Sequence, residues 1–400
     1  METLFVANVN VNREGIMHRN KKIKVTILGA GLVGAPMAID LAGDPRYQVT
    51  TVDISDAALN KLKNYPINTI QTDLSKPKNV ESVIQDCNFV INALPGCIGF
   101  KALEAAIKIG KNVVDISFFE EDPFSLDELA RKNNVIALVD CGVSPGMSNV
   151  LIGYVHELLD KTENVIILVG GLPQVREWPY EYKAVFSPMD VIEEYIRPAR
   201  HIENGVLVIK PALSEKEYIN FKGIGTLEAF NTDGLRTLLK TINARNMKEK
   251  TLRYPGHSEK MAMLRESGFF SKQEIEINGS KTRPIDFTSK ILSTKWLLRE
   301  GEADFTIMRI IIEGEKEGKR IRYTYDLFDQ YDEATQTHSM ARTTGYTATI
   351  ALRMVTDGLY NRIGISSPEF IGKHPDCVKF MLGELRKKGI IYNEKIETIP

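Results

Sequence analysis

Residues 25–42 read VTILGAGLVGAPMAIDLA, a β-branched run followed by three spaced glycines and an apolar helical pattern. A strand, a tight glycine turn and a helix in direct succession form the first unit of a doubly wound parallel sheet. Gly29 allows the turn, Gly31 lets a pyrophosphate approach the backbone, and Gly34 lets helix and strand pack closely. The free N–H groups at the start of the helix favour phosphate charge. This context predicts a dinucleotide site, and the alternative is a glycine-tolerant turn that binds nothing.

The sequence around this stretch indicates the same fold. Short β-branched runs alternate with helical patterns from Lys24 to about Asp140. Strands that lack polar alternation and are joined by helices are typical of a parallel sheet covered on both faces. The second predicted strand ends at Asp53, where a carboxylate accepts hydrogen bonds from an adenosine ribose and repels a 2′-phosphate. We therefore predict a Rossmann domain that binds NAD, with NADP as the less favoured cofactor.

Further cofactor contacts are predicted where the next strands end, because a doubly wound sheet presents its ligand at the carboxyl ends of its strands. Asp73 follows the third predicted strand and is either a cofactor contact or a helix-capping residue. The run NALP follows the fourth strand, and Ser117 follows the fifth. The predicted cofactor-binding residues are Gly29, Gly31, Leu32, Val33, Gly34, Asp53, Asp73, Asn92, Ala93, Leu94, Pro95 and Ser117.

Composition argues against several classes of partner. The formal net charge is −1, and no apolar run reaches the ~18 residues that a membrane helix needs, so we predict no nucleic-acid or membrane partner. The four cysteines show no CxxC spacing and the histidines do not cluster. This predicts free thiols in a reducing cytoplasm and no metal site. Residues 1–21 lack the basic and apolar regions of a signal peptide and are interpreted as an accessory extension.

The strand pattern changes beyond about residue 145. Predicted strands become longer, and the run IRYTYDL alternates apolar with polar residues, as in a half-buried antiparallel strand. The run QEIEINGSKTRPIDF is predicted as another strand, and residues 341–355 as a helix rich in small residues. These features predict an α+β domain whose sheet has one face free for a helix layer or a partner subunit.

Six blocks along the chain resemble one known family. They are DCGVSPGMSNVLIG, VGGLP, YKAVFSP, GTLEAFNTDG, LRYPGH and GYTATIALRMVTDG. Together they resemble the saccharopine dehydrogenase-like oxidoreductases over roughly residues 23–390, and they look most similar to the lysine 6-dehydrogenase branch. Saccharopine reductases typically carry Phe where this chain has His257, and a longer segment where it has AFNTDG. Both departures favour the lysine branch.

The resemblance implies a Rossmann domain, a mixed-sheet domain for substrate binding and dimerisation, and a C-terminal segment that returns to the first domain. The predicted division is 1–21 for the N-terminal extension, 22–145 for the NAD-binding domain, 146–339 for the substrate-binding and dimerisation domain, and 340–400 for the returning segment. A homodimer is the implied assembly.

The resemblance also implies NAD-dependent oxidative deamination of a small amino acid amine. The expected reaction converts L-lysine at its 6-amino group to 2-aminoadipate 6-semialdehyde and ammonia. A saccharopine-type or carboxynorspermidine-type dehydrogenase acting on a secondary amine is the alternative enzyme. A nucleotide-binding protein without catalysis is a third possibility. Either enzyme needs a base whose pKa lies near neutrality.

Two residues are predicted to act in catalysis. His257 follows a Pro-Gly turn and opens a predicted helix, which would aim the imidazole into a cleft, and histidine titrates near neutrality. The alternatives for His257 are a helix-start residue bonded to backbone or a residue that faces a subunit interface. Asp233 would act as base or balance a substrate ammonium, although an Asp before Gly234 is also a common turn former. The predicted substrate-binding residues are Tyr182, Lys183, Glu228, Thr232 and Arg236.

Overall fold

The structure is a computed structural model that describes residues 22–299 and 301–400, so the predicted extension at 1–21 lies outside the described residues. Within these residues the chain forms a seven-stranded sheet, a nine-stranded sheet and a two-stranded hairpin. The strands are β1 Ile23–Leu28, β2 Tyr47–Asp53, β3 Ile67–Gln71, β4 Phe89–Asn92, β5 Asn112–Asp115, β6 Ile136–Leu138, β7 Lys161–Pro173, β8 Ala199–Glu203, β9 Val206–Lys210, β10 Glu217–Phe221, β11 Gly225–Asn231, β12 Ala244–Arg253, β13 Ile275–Ile277, β14 Ser280–Thr282, β15 Asp304–Lys316, β16 Lys319–Gln330, β17 Gly364–Ser366 and β18 Tyr392–Thr398.

Helices connect these strands and cover the sheets. They are α1 Gly34–Ala42, α2 Asp56–Asn60, α3 Pro77–Ile84, α4 Gly96–Lys108, α5 Asp127–Lys132, α6 Met147–Leu158, α7 Pro188–Ile196, α8 Leu238–Thr241, α9 His257–Glu266, α10 Pro284–Trp296, α11 Tyr346–Thr356, α12 Pro368–Gly372 and α13 Pro375–Lys387, with a 3-10 turn at Pro123–Leu126 and a π-helical turn at Ala341–Gly345. Over the described ranges, no helix combines the length and the apolar character needed to cross a membrane.

The first sheet has the order β17-β6-β5-β4-β1-β2-β3, and every pair in it is parallel. Val25 and Ile27 pack into one hydrophobic cluster, whereas Leu28 packs into another on the opposite face of the sheet. Burial on both faces explains why these strands lack polar alternation. The predicted doubly wound Rossmann sheet is confirmed.

The second sheet is mixed. Its main path runs β10-β11-β12-β7-β15-β16-β18, and β7 pairs in parallel with β12 but antiparallel with β15. The run IRYTYDL lies in β16, where Tyr323 and Tyr325 are buried and Thr324 between them is half-buried. The predicted half-buried strand and the predicted mixed sheet are therefore confirmed.

Two predicted elements differ from the structure. The run QEIEINGSKTRPIDF is not one strand, because Asn278 (φ +51°) and Gly279 (φ +77°) form a tight turn between β13 and β14. Pro284 then occupies the first turn of α10, a position that suits its fixed φ. The predicted helix over 341–355 opens with the π-helical turn, so regular α-helix starts only at Tyr346.

The C-terminal segment contributes to both sheets. β17 pairs in parallel with β6 and completes one edge of the first sheet. β18 instead pairs antiparallel with β16 at the edge of the second sheet, where the Tyr325 hydroxyl donates to Glu394. The prediction that all of 340–400 returns to the first domain is therefore wrong for β18. Gly389 (φ +81°) lies after α13, where the chain turns back toward β16.

Candidate active site

A cavity of about 680 Å³ lies between the carboxyl ends of the first sheet and one face of the second. Its lining runs from the glycine turn after β1 to side chains on α7 and β12. Ligands of doubly wound sheets bind outside the carboxyl ends of the strands, and this cavity occupies that position. Its volume falls in the range of sites that hold small molecules and cofactors.

The glycine turn forms the first wall of the cavity. Gly29 has φ +104°, and a Cβ there would lie 2.8 Å from the carbonyl oxygen of Ala93. A Cβ at Gly34 would collide with the carbonyl group of Gly29, whereas nothing lies within 4 Å of a Cβ built at Gly31. Gly31 therefore presents bare backbone to the cavity next to the start of α1, beside Leu32 and Val33. This open backbone fits a pyrophosphate group.

Asp53 closes β2 and lines the same cavity. Its Oδ2 accepts a hydrogen bond from the backbone N of Ala30 at 2.7 Å, and its Oδ1 accepts one from Ser55 at 2.8 Å. Each carboxylate oxygen keeps a further lone pair, so ribose hydroxyls can still donate to it. The side chain thus holds the glycine turn in place and fits the ribose position of a dinucleotide.

The loops after β3 and β4 add to the lining. Residues 93–95 face the cavity, as does Asp73. The carboxylate of Asp73 accepts hydrogen bonds from the backbone N and the hydroxyl of Ser75, which favour its charged form and lower its pKa. The N-cap residue of α3 is Lys76, so Asp73 forms a local turn at the cavity and does not cap the helix.

Asn92 and Ser117 do not line the cavity, and the prediction of cofactor contacts for them is corrected. Asn92 is fully buried, and its Nδ2 donates to the carbonyl of Gly99 at 2.9 Å and to Asp115. The backbone N of Ser117 donates to Asp115 at 2.7 Å. The Asn92 side chain and the Ser117 backbone thus belong to a buried network around Asp115, whose pKa is raised well above its usual value by burial.

The helix α7 supplies a polar face to the opposite wall. Asp190, Glu193, Glu194 and the following Arg197 line the cavity, and their spacing is that of one helical face. Ser187 is the N-cap residue and accepts a hydrogen bond from the backbone N of Asp190 at 3.4 Å. The sequence that starts the helix therefore also fixes where this acidic face points.

Asp190 is the most deeply placed carboxyl on that face. Burial raises its pKa to about 6, although the backbone N of Gly96, 3.3 Å away, favours the charged form. Among the described residues it makes no ion pair with Lys or Arg. A carboxyl with this pKa changes protonation close to neutrality, which is the property required of a general base.

The strand β12 lines the cavity with every second residue. Glu249, Thr251 and Arg253 share one face of the strand and are buried. The Oε2 of Glu249 accepts hydrogen bonds from the Thr232 hydroxyl at 2.6 Å and from the backbone N of Gly234 at 3.1 Å. Burial nevertheless raises the pKa of Glu249 to about 8. Glu249 is thus a second carboxyl that titrates in a useful range and makes no ion pair among the described residues.

Arg253 is held in place by several neighbours. It forms an ion pair with Glu194 at 3.0 Å, and its Nε donates to the Tyr195 hydroxyl at 3.3 Å. Its guanidinium also stacks over the ring of Tyr182, with 4.6 Å between the guanidinium carbon and the ring centroid. Arg253 therefore presents a fixed positive charge to the cavity.

His257 lies behind this wall, and its predicted placement in the cleft is corrected. The Tyr180 carbonyl lies 3.0 Å from Nδ1 and can only accept, so Nδ1 carries the proton. Nε2 is then free to accept from the Tyr195 hydroxyl at 2.9 Å. Burial lowers the pKa of His257 to about 3, with a further lowering from Arg253. The imidazole is neutral at physiological pH and orders Tyr195; it does not face the cavity.

Asp233 and Thr232 both line the cavity, but Asp233 is engaged. Its two carboxylate oxygens accept from Nε and Nη2 of Arg200 at 2.9 and 2.8 Å. Such a bidentate pair stabilises the carboxylate and occupies its oxygens. The arrangement supports a role for Asp233 in shaping the site and argues against its prediction as the base.

The other predicted substrate ligands lie in the walls of the cavity and not on its surface. Glu228 accepts from the backbone N atoms of Gly256 and Ser258 and so caps α9. Lys183 is buried and pairs with Glu177 at 3.1 Å.

Tyr182 is buried against Trp296 and stacks on Arg253. Arg236 forms an ion pair with Asp140 at 2.9 Å. The predictions of direct substrate contact for Glu228, Lys183, Tyr182 and Arg236 are therefore corrected, because each side chain already has a structural partner.

The sequence analysis did not predict the cavity-lining residues of α7 and β12, although two patterns in the sequence point to them. The run PMDVIEEYIR places acidic residues at helical spacing, and EKTLR places polar residues at alternate positions of a buried strand. Such residues are rarely buried unless they are paired or functional. The cavity contains both groups, opposite the glycine turn.

Taken together, a parallel sheet, a glycine turn with open backbone and a cavity at the carboxyl ends define a dinucleotide-binding protein. Comparison with known proteins is more specific. The family model of the saccharopine dehydrogenase NADP binding domain matches residues 25–138, and that of the saccharopine dehydrogenase C-terminal domain matches residues 142–390. The chain belongs to the saccharopine dehydrogenase family of oxidoreductases.

Named relatives cover this chain to different extents. Saccharopine dehydrogenase [NADP(+), L-glutamate-forming] of Schizosaccharomyces pombe is 24% identical, over 93% of this chain and 98% of the relative. Carboxyaminopropylagmatine dehydrogenase of Synechocystis is 23% identical, over 90% and 96%. Mitochondrial alpha-aminoadipic semialdehyde synthase of Mus musculus is 24% identical over 70% of this chain, and the match spans only 32% of that synthase.

A solved structure shows the same fold. Apo saccharopine dehydrogenase (L-Glu forming) from Saccharomyces cerevisiae matches with a TM-score of 0.74 at 19% identity, covering 94% of this chain and all of that one. The likeness confirms the architecture of a parallel sheet followed by a mixed sheet.

Proposed function

We propose that this protein is an NAD-dependent dehydrogenase that oxidises the amine-bearing carbon of an amino acid, with L-lysine at its 6-amino group as substrate. The observation that carries the proposal is the placement of Asp190 and Glu249. Both carboxyls line the cavity that begins at the glycine turn, and neither pairs with Lys or Arg among the described residues. An ammonium group is the ligand that such carboxyls attract.

The first task of the site is to take a proton from the substrate ammonium, because only the free amine can release hydride from its carbon. A lysine ammonium has a pKa of about 10.4, so proton transfer to an ordinary Glu, with a pKa of about 4.3, costs roughly 8 kcal/mol. Burial raises the pKa of Glu249 to about 8, which reduces that cost to roughly 3 kcal/mol. Glu249 is therefore our candidate for the base.

The residues around Glu249 support this role. Thr232 and the backbone N of Gly234 donate to one carboxylate oxygen, Oε2, which orients the group and leaves Oε1 for the substrate. A bound nicotinamide would accept the hydride. The substrate imine is then hydrolysed by water to an aldehyde and ammonia. Asp190, with a pKa of about 6, is suited to accept a proton from that water.

We propose NAD as the preferred cofactor on the basis of Asp53. A 2′-phosphate would lie against a carboxylate that already holds the glycine turn, and the only basic residues lining the described cavity, Arg197 and Arg253, belong to its other wall. The matching family domain is named as NADP binding, and the name of the S. pombe relative includes NADP(+). The name of the Synechocystis relative gives no cofactor. Cofactor preference is therefore a direct test of the role of Asp53.

A second candidate is dehydrogenation of a secondary amine. The relatives named above include a saccharopine dehydrogenase and a carboxyaminopropylagmatine dehydrogenase, which supports this alternative. The same carboxyls would bind a secondary ammonium, so the base chemistry does not separate the two candidates. The identity of the released product does.

The test is an initial-rate assay with purified protein, NAD and each amine at alkaline pH, following reduced nicotinamide. Turnover of L-lysine without turnover of saccharopine is the expected result. Turnover of saccharopine alone would favour the second candidate, and cofactor binding without turnover of any amine would overturn both. Glu249→Gln is the matched control, because it keeps the size of the side chain and removes the base.

A further inference from the structure

A second cavity, of about 310 Å³, lies on the other face of the second sheet and is lined by β7, β8, β12 and β15. We call it the outer cavity, and the cavity between the two sheets the active-site cavity. Asn246 and Lys248 of β12 line the outer cavity, whereas Glu249 and Thr251 of the same strand line the active-site cavity. Successive side chains of a strand point to opposite faces of its sheet, so β12 separates the two cavities.

A row of hydrogen-bonded side chains forms one wall of the outer cavity. Asn246, Asn164 and Glu313 lie in register on the adjacent strands β12, β7 and β15. Nδ2 of Asn246 donates to Oδ1 of Asn164 at 2.8 Å, and Nδ2 of Asn164 donates to Oε2 of Glu313 at 2.8 Å. Nε of Arg322 donates to Oε1 of Glu313 at 2.7 Å. Burial opposes ionisation of Glu313, but these donors outweigh it and lower the pKa, so the group is a carboxylate.

His201 on β8 adds an acceptor that lacks a donor. Its side chain lines the outer cavity and is 1% exposed, and its Nε2 is buried without a hydrogen-bond partner among the described residues. Burial lowers the pKa of His201, so the imidazole is neutral at physiological pH. The backbone carbonyl of Glu249 bonds to the ring and can only accept, which places the proton on Nδ1. Nε2 is therefore an unpaired acceptor, and leaving such a group buried costs free energy.

The charged residues of the outer cavity also favour a ligand that donates hydrogen bonds. Glu203 and Glu313 contribute carboxylates, and each keeps lone pairs beyond its own ion pair. Lys248 is the one basic residue among the described residues that line this cavity, and its Nζ lies 3.7 Å from Glu217. The outer cavity thus combines two carboxylates with an unpaired neutral acceptor.

We propose that the outer cavity binds a small molecule through a primary ammonium group. An ammonium carries three N–H donors, one of which satisfies Nε2 of His201, and its positive charge complements Glu203 and Glu313. Ile166 and Ile202 are half-buried in the same lining and offer apolar surface to an alkyl chain. The inference goes beyond the proposed function, because no residue that lines the active-site cavity takes part in binding.

The test observes His201 directly, by NMR of protein labelled with ¹⁵N in its histidines. The probe is n-butylammonium at about pH 8, where the amine is charged and an imidazole is neutral. We expect a saturable shift of the Nε2 resonance of His201, because this nitrogen gains a hydrogen-bond donor. The spectrum of His201→Gln identifies the resonance. The same shift should appear in Glu249→Gln, since the outer cavity is unchanged in that variant.

Two analogues and two variants define the chemistry of the site. n-Butanol and butyrate keep the alkyl chain without the ammonium, so neither should saturate the site at concentrations at which n-butylammonium does. Glu313→Gln should weaken binding of n-butylammonium by roughly 10- to 100-fold, because an interaction with a charged group is lost. Glu315→Gln is the matched control, since it changes an exposed glutamate of the same strand, and it should leave the affinity unchanged.

No shift of the Nε2 resonance in the wild type would overturn the inference, and so would an equal response to n-butanol. A shift that disappears in Glu249→Gln would place the probe in the active-site cavity and would overturn it as well. None of these outcomes depends on turnover of an amine. Failure of the proposed function and failure of this inference are therefore observed separately.

Discussion

Thr232 donates its hydroxyl hydrogen to Oε2 of Glu249 across 2.6 Å, and both side chains line the cavity between the two sheets. The backbone N of Gly234 donates to the same oxygen at 3.1 Å. These donors favour the carboxylate, whereas burial favours the neutral acid and is the larger effect, so the pKa of Glu249 rises to about 8. A base tuned in this way becomes active as the pH rises through that value.

The pH dependence of turnover should follow this carboxyl. Glu249 must be ionised to accept a proton, so kcat/KM for lysine should rise with pH through about 8. Glu249→Gln should lower kcat by roughly 100- to 10,000-fold, the range typical of general base catalysis. Asp190→Asn serves as the comparison, because it should leave the rise near pH 8 in place. A wild-type profile that persists unchanged in Glu249→Gln would assign the base to another group.

Substitutions at two glycines of the turn should distinguish an effect on cofactor binding from an effect on stability. A Cβ at Gly31 meets nothing within 4 Å, so Gly31→Ala should keep the Tm of the wild type and lose affinity for NAD, because the methyl group fills the space of the pyrophosphate. A Cβ at Gly34 collides with the carbonyl of Gly29, so Gly34→Ala should lower Tm as well. Thermal unfolding with and without NAD measures both effects. Unchanged NAD affinity in Gly31→Ala would place the cofactor elsewhere.

The carboxylate of Asp53 should set cofactor preference. Asp53→Ala removes a charged acceptor for the ribose, which should weaken NAD binding by roughly 10- to 100-fold. It also frees the backbone N of Ala30, and this loosening should weaken NAD and NADP equally. The ratio of the two dissociation constants is therefore the informative quantity, with Asp56→Ala as the control. A wild type that already prefers NADP would show that the ribose assignment is wrong.

We expect His257 to affect the free energy of unfolding at acidic pH and not the rise of kcat/KM with pH. Its pKa is about 3 in the folded protein against 6.5 for the free side chain. Below about pH 6.5 the unfolded chain therefore binds one proton more than the folded protein does. As a result, the free energy of unfolding decreases as the pH falls from about 6.5 toward 3. The expected slope approaches ~1.4 kcal/mol per pH unit. Denaturant unfolding at about pH 7, 5 and 4, which samples this range, measures it.

His257→Gln should flatten that pH dependence, whereas His374→Gln, which changes an exposed histidine, should not. A glutamine can still accept from Tyr195 and donate to the Tyr180 carbonyl, so Arg253 should stay in place. A limb of kcat/KM between pH 6 and 7 (about the ordinary range of a histidine) that disappears in His257→Gln would instead restore a catalytic role.

The fold could be predicted because its signals are local. The glycine turn, the end of β2 at Asp53 and the alternation in β16 depend on neighbours in the sequence, and the structure places each of them as expected. The turn at Gly279 was missed, because the alternation of apolar and polar residues up to Ile277 was interpreted as part of one strand that continues through Asn278 and Gly279.

The base site depends on long-range pairing. β11 ends at Asn231 and pairs with β12, which brings Thr232 to Glu249 from seventeen positions away. His257 was mistaken for a base because its residue type titrates near neutrality, whereas burial beside Arg253 prevents its protonation. Burial of this kind is set by packing and cannot be read from the residue type.

The most direct test of the proposed reaction is its product balance. With NAD and L-lysine, the protein should form reduced nicotinamide and free ammonia in equal amounts, because a primary amine is oxidised and its imine is hydrolysed. Glu249→Gln should form neither. Reduced nicotinamide formed from saccharopine without ammonia, and none from lysine, would contradict the assignment of lysine as substrate and establish oxidation of a secondary amine.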